Sequence, residues 1–161
     1  MIPNIKQKDD FWEAEIQLES WNEFYDETLK LTLNVGGETG VDKVAEVHER
    51  AYHYLMANQK QLLEVIFNEV YKHYATWQDE YGYDEEEKVL YMPDLHSSHE
   101  LKKLMFPETI FIMDVELGQM PYIGVSFNCE WDEEHGMGIM LHKDRVVDVG
   151  GQDTAFTNWI A

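Results

Sequence analysis

The chain has 161 residues, enough to bury a substantial core, so one domain spanning residues 1–161 is expected. It contains 12 Lys and Arg residues against 32 Asp and Glu residues, a net charge of −20. This negative charge repels phosphate backbones and argues against nucleic-acid binding, whereas it suits a basic protein partner or simply keeps the protein soluble.

The N-terminal part of the chain predicts two paired strands. Residues 1–10 are polar and predict a loose lead-in. Apolar and polar residues alternate in Trp12–Glu19 and again in Thr28–Val35, which indicates two half-buried strands that form a hairpin. Trp21–Glu27 is the predicted loop between them, and Lys30 is expected to oppose a glutamate of the first strand.

The middle of the chain predicts a helical hairpin. Apolar residues recur with helical spacing from Val41 to Trp77. One unbroken helix over residues 41–80 would be about 60 Å long, whereas a domain of this size has a radius of gyration of about 15 Å. A break is therefore expected at Ala57–Gln59. The first predicted helix covers residues 40–57 and has Thr39 as its N-terminal cap. The second covers residues 59–81 and has Asn58 as its N-terminal cap.

A polar connector and a short helix follow the helical hairpin. The connector covers residues 83–96 and contains an acidic run. Ser97 and Glu100 have the spacing of a capping box, in which each side chain accepts a backbone N–H of the other residue, so a helix is expected to begin there. Pro107 is expected to end this helix because proline cannot continue the hydrogen-bond ladder.

The C-terminal third predicts the remaining strands. Glu108–Leu117 is the predicted third strand, and three alternating runs in Tyr122–Gly151 predict an antiparallel meander. Phe156, Trp159 and Ile160 are expected to dock on the core. The whole pattern predicts an α+β fold: an antiparallel sheet of about six strands, in the order ββ-αα-α-ββββ along the chain, with the helical hairpin packed on one face.

The turn Trp131–Gly136 is the best candidate for a functional site. Neighbouring carboxylates could raise each other's pKa and hold a proton for acid–base chemistry, with His135 or His142 as partner. Alternatively, Asp132 only accepts backbone N–H groups and Gly136 only supplies a positive φ, which leaves the other polar residues of the turn unexplained. The candidate binding residues are Asp132, Glu133, Glu134, His135 and His142.

The sequence does not predict a metal or cofactor site. His48 and His53 are five residues apart, so on a helix they point about 140° apart and cannot share a zinc ion. His48 is instead expected in the core or an interface. His96 and His99 lie in the metal-like stretch 94–100, where a metal site is the weaker alternative to helix capping and ordinary loop polarity.

Cysteine content and hydropathy indicate the cellular compartment. Cys129 is the one cysteine and lies in an alternating strand, so it is expected to be a buried hydrophobe rather than a nucleophile. The N-terminus lacks the apolar core of a signal peptide, and no apolar run approaches membrane-spanning length. A reducing cytosol is therefore the expected location, with no membrane partner.

The segment CEWDEEHGMGIMLHKDRVVDVGGQDTAF resembles the C-terminal signature of a bacterial family of uncharacterised domains. The signature comprises a strand ending in tryptophan, an acidic turn, His-Gly, a strand ending in Leu-His, and Val-Gly-Gly-x-Asp. The resemblance implies a small α+β domain without an assigned enzymatic activity. It also implies an immunity-protein-like role, since related small acidic domains are often encoded beside bacterial toxin genes. The resemblance extends to the helix containing Ala51, Tyr52, Leu55, Asn58 and Gln59.

Three functions are compatible with these observations. The leading hypothesis is a cytosolic bacterial binding protein, such as an immunity-type antagonist of a basic toxin, or a binder of another basic protein. The first alternative is an acid–base or metal-assisted hydrolase that uses residues 132–135 with His142. The second alternative is a structural domain without a catalytic site. An exposed acidic face favours the binder, whereas a deep pocket that holds histidine and carboxylates favours the enzyme.

Overall fold

A computed structural model describes residues 1–37 and 40–157 of the chain. Within these ranges seven strands form one sheet. The strands are β1 (Lys6–Lys8), β2 (Phe11–Ile16), β3 (Leu31–Val35), β4 (Met105–Leu117), β5 (Met120–Cys129), β6 (Met137–His142) and β7 (Arg145–Gly150). The helices are α1 (Glu19–Tyr25), α2 (Glu46–Ala57), α3 (Gln59–Tyr81) and α4 (Glu85–Tyr91), with 3₁₀ helices at Ser98–Lys103 and Gln152–Phe156.

The strands lie in the sheet in the order in which they occur in the chain. Neighbouring strands among the seven are antiparallel except β3 and β4, which are parallel. Parallel pairing requires a long crossover, and here the helices between β3 and β4 carry the chain back to the end at which β3 begins. The predicted α+β fold is confirmed, with seven strands rather than about six.

The additional strand is β1, which lies in the segment predicted to be a loose lead-in. It pairs with the start of β2, and Lys8 forms an ion pair with Glu13 at 3.4 Å. All three residues of β1 are exposed and none is apolar. Because strand prediction depends on alternating apolar residues, a polar strand this short has no sequence signature.

The predicted loop Trp21–Glu27 is largely helical and contains most of α1. Trp21 and Tyr25 lie one helical turn apart, and both are buried. Trp21 Nε1 donates to the carbonyl oxygen of Gln59 at 2.8 Å, and the Tyr25 hydroxyl donates to that of Met105 at 2.6 Å. A helix of two turns is marginal alone, so these tertiary contacts stabilise it.

The second predicted strand begins later than expected. The first residue of β3 is Leu31, which pairs with Ile16 of β2. Lys30 therefore precedes the paired residues and does not oppose a glutamate of β2. The two strands are antiparallel neighbours as predicted, but a helix connects them in place of a loop.

The break between the two long helices and the extent of α3 are confirmed. Gly82 ends α3 with a φ of +61°, a conformation that glycine adopts without strain. Asn58 does not cap α3 as predicted; its side chain donates to the carbonyl oxygen of Tyr54 at 2.9 Å and so completes the last turn of α2. No helix in the described ranges combines the length and apolar character that a bilayer crossing requires.

The start of α2 differs from the prediction. The helix begins at Glu46 instead of residue 40, because the imidazole of His48 caps it: the backbone N–H of Ala45 donates to His48 Nδ1 at 2.9 Å. His48 is 3% exposed, in agreement with its predicted core position. The predicted cap Thr39 lies outside the described residues.

The segment between α3 and β4 contains more structure than predicted. The connector at residues 83–96 includes α4, whereas the capping box is confirmed, with the Glu100 carboxylate accepting the N–H of Ser97 at 3.0 Å. Pro107 lies inside β4 and does not end the preceding helix. The register of β4 shifts between Pro107 and Thr109, which accommodates the missing proline N–H.

The predicted meander Tyr122–Gly151 is confirmed as β5, β6 and β7. It supplies much of the core between the sheet and the helices. The Gln152–Phe156 helix packs against β5 and β6, and the ring of Phe156 contacts that of Phe111 at a centroid distance of 5.3 Å. The other two predicted docking residues, Trp159 and Ile160, lie outside the described residues.

Candidate functional site

The turn between β5 and β6 is built around Asp132. Its Oδ1 accepts the backbone N–H of His135 at 3.0 Å, and its carbonyl oxygen accepts that of Gly136 at 2.8 Å. Gly136 has a φ of +62°, and a Cβ at this position would lie 2.7 Å from the carbonyl oxygen of Phe127. Asp132 and Gly136 therefore shape the turn, through hydrogen bonds and through the absence of a side chain respectively.

Asp132 also connects this turn to the end of α3. The hydroxyl of Tyr81 donates to Asp132 Oδ2 at 2.6 Å. The Nδ1 atom of His135 lies 3.0 Å from Oδ1 and 3.2 Å from Oδ2. The Asp132 side chain is 15% exposed and the His135 side chain 70% exposed. One largely covered carboxylate thus positions a tyrosine and an imidazole that both reach the surface.

The surroundings of Asp132 favour its charged form. Partial burial raises the pKa of its carboxyl group, but the hydrogen bonds from Tyr81 and His135 outweigh burial and lower the pKa overall. Burial, together with the hydrogen bond to Asp132, raises the pKa of Tyr81. Asp132 is therefore an anion near neutral pH, contrary to the proton-holding role that the clustered carboxylates had indicated.

A cleft of about 220 Å³ lies beside this network, between the end of α3, the acidic turn and the Gly150–Gly151 segment. Its aromatic walls come from Trp77, Tyr81 and Trp131. The rings of Trp77 and Trp131 contact each other at a centroid distance of 6.1 Å. Glu80 and Asp132 place carboxylates in the same cleft. Aromatic faces next to carboxylates form an environment that favours a cation.

Further acidic residues lie close in sequence to the residues that line the cleft. Tyr83 joins α4 to the turn, because its hydroxyl donates to the carbonyl oxygen of Trp131 at 2.6 Å. No lysine or arginine of the described residues forms an ion pair with a carboxylate of this region; Lys88 of α4 pairs with Asp94 instead. We define the acidic pole as Asp79, Glu80, Asp84, Glu85, Glu86, Glu87, Glu130, Asp132, Glu133 and Glu134.

Residues 1–156, which include the acidic pole and the cleft, match a family described as Domain of unknown function (DUF6985). The chain belongs to the DUF6985 family. No curated protein and no solved structure matches the chain. Membership agrees with the resemblance to an uncharacterised domain family. Because the family carries no assigned activity, the function of this DUF6985 domain has to be argued from the geometry of its site.

Glu133 and Glu134 lie at the exposed tip of the turn in the DUF6985 domain. Neither side chain makes a hydrogen bond or ion pair with another described residue. The structure thus separates the predicted residues of the turn into two groups. Asp132 is engaged in folding contacts, whereas the two glutamates are free to contact a partner.

The structure does not bring His142 to the acidic turn. The turn precedes β6 and His142 ends it, which places them on the order of 15–20 Å apart at about 3.3 Å per residue. His142 Nε2 lies 2.9 Å from the carbonyl oxygen of Leu117 and 3.2 Å from that of Met120, so it donates to the β4–β5 turn. Its contacts are those of a residue that stabilises this turn.

The cysteine and the two histidines considered for catalysis or metal binding are buried or make contacts that stabilise the fold. Cys129 is buried as predicted, and burial raises the pKa of its thiol to about 12. His99 packs its ring against Phe24 at 5.5 Å, and the backbone N–H of His96 donates to the Glu100 carboxylate at 2.8 Å. No group of three or more histidine, cysteine, aspartate or glutamate side chains in the described ranges is arranged to hold a metal ion.

The sequence analysis missed the α3 side of the site. Trp77 and Tyr81 are one helical turn apart, and the sequence assigned Trp77 only to the apolar stripe of the helix and Tyr81 only to its C-terminal end. Tyr81 is nevertheless 41% exposed, and its partner Asp132 lies 51 residues further along the chain. Two aromatic residues beside Glu80 at the end of a helix were the available signal, but only the folded chain shows what they face.

Substitutions in the turn separate folding residues from contact residues. Asp132→Ala is expected to lower the free energy of unfolding by about 1–2 kcal/mol, because it removes acceptors for Tyr81 and His135. Glu133→Ala and Glu134→Ala are expected to change it by no more than about 0.5 kcal/mol. Denaturant melts measure these differences. A loss above about 1 kcal/mol for either glutamate would mean that these residues also shape the turn.

The pH dependence of Asp132→Asn provides a second measurement. Because the pKa of Asp132 is lowered in the folded state, its ionisation stabilises the fold above the unfolded-state pKa of about 3.9. This contribution is lost as the pH falls through the lower folded-state pKa. The stability advantage of the wild type over Asp132→Asn should therefore be larger at pH 7 than at pH 3, and an equal or larger advantage at pH 3 would contradict this assignment.

Proposed function

We propose that this DUF6985 domain is a binding protein that receives a basic segment of a protein partner on its acidic pole, with one arginine or lysine side chain in the cleft. The observation that carries the proposal is the combination of aromatic walls with an ionised Asp132 in one cleft. A cation over an aromatic face gains about 0.5–2 kcal/mol, and more when it is shielded from water.

The preference for a cation follows from what the cleft already contains. The hydrogen bonds of Asp132 to Tyr81 and His135 fix the position of its charge, so little side-chain entropy is lost when a ligand binds. Glu80 adds a second carboxylate. A planar guanidinium can stack on an aromatic ring and bind a carboxylate at the same time, which makes arginine the better occupant.

The net charge of −20 supports the same class of partner at longer range. A field of one sign steers an oppositely charged protein and raises its association rate, mainly at low salt. In its most specific form, the proposal is a cytosolic bacterial immunity-type antagonist that masks a basic surface of a toxin. An adjacent gene that encodes a large protein with a toxin-like C-terminal domain would favour this form over other basic partners.

One observation favours a hydrolase as the second candidate. The Asp132 carboxylate orients the exposed His135 imidazole, as a carboxylate does in acid–base catalytic sites. Cys129 is buried with a raised thiol pKa, so it does not provide a reactive thiol to the Asp132–His135 pair. His142 contacts the β4–β5 turn, so it does not provide a second imidazole. His135→Ala distinguishes the candidates: it abolishes a hydrolytic activity but weakens binding of a basic peptide only slightly.

The test of the binding proposal uses an arginine-containing basic peptide and the fluorescence of the protein. Trp77→Ala is expected to weaken binding about 3- to 30-fold, which corresponds to the loss of one cation–aromatic contact. Glu133→Gln with Glu134→Gln is expected to slow association, and to do so less as salt rises from 0.1 to 1 M, where the Debye length falls from about 10 to about 3 Å.

Glu15→Gln is the matched control for the single variants Glu133→Gln and Glu134→Gln, because it removes one exposed charge outside the acidic pole. It is expected to leave the affinity nearly unchanged. A peptide with lysine in place of arginine should bind somewhat more weakly, and an uncharged peptide should not bind. Equal effects of Glu15→Gln and of either pole glutamate would show that only the net charge matters. An unchanged affinity of Trp77→Ala would show that the cleft is not the binding site.

A further inference from the structure

A second pocket, of about 270 Å³, lies between α1, α3 and the Ser98–Lys103 helix. Its apolar surface comes from Phe24, Leu63 and Phe67. Leu63 and Phe67 are buried and form the floor, whereas Phe24 is half-buried and forms a wall. The volume is near the lower limit of the roughly 300–1,000 Å³ typical of pockets for drug-sized ligands, so an occupant has to be small.

The wall of this pocket is already in position. The ring of Phe24 meets Phe67 edge-to-face at a centroid distance of 4.9 Å, Tyr25 at 5.4 Å and His99 at 5.5 Å. Lys102 Nζ lies 5.5 Å from the centre of the same ring and donates to the carbonyl oxygen of Phe24 at 3.4 Å. Because these contacts hold Phe24 on several sides, a ligand does not have to order it.

The rim of the pocket carries charges of both signs. Lys60 and Glu64 lie one turn apart on α3, and Glu23 lies opposite them on α1. All three side chains are exposed, and none forms an ion pair or hydrogen bond with another described residue. Residues four apart on a helix are neighbours, so an ammonium and a carboxylate stand side by side above the apolar floor.

We propose that this pocket binds a small zwitterion with an apolar body, of the class of the free aromatic and branched-chain α-amino acids. The apolar side chain covers Leu63 and Phe67, the α-carboxylate faces Lys60, and the α-ammonium faces Glu64 and Glu23. Both charges of such a ligand are attached to one carbon, which matches the adjacent opposite charges of the rim.

This pocket is separate from the cleft in the acidic pole. Lys60 and Trp77 are 17 positions apart on α3, a distance of about 25 Å at 1.5 Å per residue. The cleft combines aromatic walls with carboxylates, whereas this pocket has an apolar floor and a rim of mixed charge. The proposal therefore does not depend on the binding of a basic partner.

The test is a titration of the ¹⁵N-labelled full chain, followed by NMR, with three probes that share a phenyl ring. Phenylalanine carries both charges, 3-phenylpropanoate carries only the carboxylate, and phenethylamine carries only the ammonium. We expect saturable shifts at Phe24, Leu63 and Phe67, with phenylalanine binding at least threefold more tightly than either singly charged probe.

The variants assign each charge of the ligand. Lys60→Gln is expected to lower the affinity for phenylalanine and 3-phenylpropanoate at least threefold and to leave the affinity for phenethylamine unchanged. Glu64→Gln is expected to lower the affinity for phenylalanine and phenethylamine. Lys72→Gln, an exposed cation on the same helix outside the pocket, is the control and should have no effect. No saturable shift at the pocket, or equal effects of Lys60→Gln and Lys72→Gln, would overturn the proposal.

Discussion

Gly124→Ala is expected to lower the free energy of unfolding by about 3 kcal/mol or more. A Cβ at Gly124 of β5 would lie 1.6 Å from the carbonyl oxygen of Ala155, and 2.5 Å from its carbonyl carbon. Both are backbone atoms, so no side-chain rotation relieves the overlap, and the Gln152–Phe156 helix has to move away from the sheet. Overpacking usually costs about 1–3 kcal/mol, and a backbone overlap this close belongs at or above the upper end.

Gly118→Ala is the matched control for this substitution. Gly118 has a φ of +61°, but a Cβ there would meet nothing within 4 Å. It should therefore cost only the strain of a left-handed residue, about 1–2 kcal/mol. Denaturant melts of both variants measure the difference. A cost for Gly124→Ala that does not exceed the cost for Gly118→Ala would mean that the 3₁₀ helix does not pack closely on β5.

The Gly124 contact also affects the candidate site. The N–H of Gln152 donates to the carbonyl oxygen of His135 at 2.9 Å, which connects the 3₁₀ helix to the acidic turn. Gly151, just before this helix, lines the cleft. Displacement of the helix should therefore weaken binding of a basic peptide even though Gly124 itself is remote from the acidic pole.

Trp131→Ala is expected to cost about 3–5 kcal/mol, the range found when a large buried aromatic residue is truncated. Trp131 is 2% exposed, and its ring contacts Tyr74 at 5.9 Å and Trp77 at 6.1 Å. Removal of the indole leaves a cavity between α3 and the acidic turn. It also removes the support of Trp77, so peptide binding should be lost together with stability.

Trp131→Phe serves to separate the two effects. It keeps most of the apolar contact with Tyr74 and Trp77, so we expect less than half of the loss of stability caused by alanine. Denaturant melts with peptide titration of the folded variants test this. A loss below about 1 kcal/mol for Trp131→Ala would contradict the packing of Trp131 between the helix and the turn.

The proposed binding residues of the cleft show where prediction from the sequence stops. The acidic turn was identified because Asp132, Glu133 and Glu134 are consecutive in the chain. The sequence does not identify Tyr81 and Trp77 as part of the site, because their place beside that turn depends on how α3 lies on the sheet. His142 was grouped with the turn because it is near in sequence, but an extended strand separates the two.

The sequence by itself determined the elements whose side chains repeat with a regular period. Alternation over Tyr122–Gly151 and helical spacing over α3 each give one apolar face. Burial of that face fixes which side chains of the whole element point toward the core and which point away from it. Tertiary structure alone decided the elements without such a period. The strand β1 depends on pairing with β2, and helix α1 depends on the hydrogen bonds of Trp21 and Tyr25. In each of these, the stabilising partner lies on a different turn, strand or helix, and a local pattern contains no information about it.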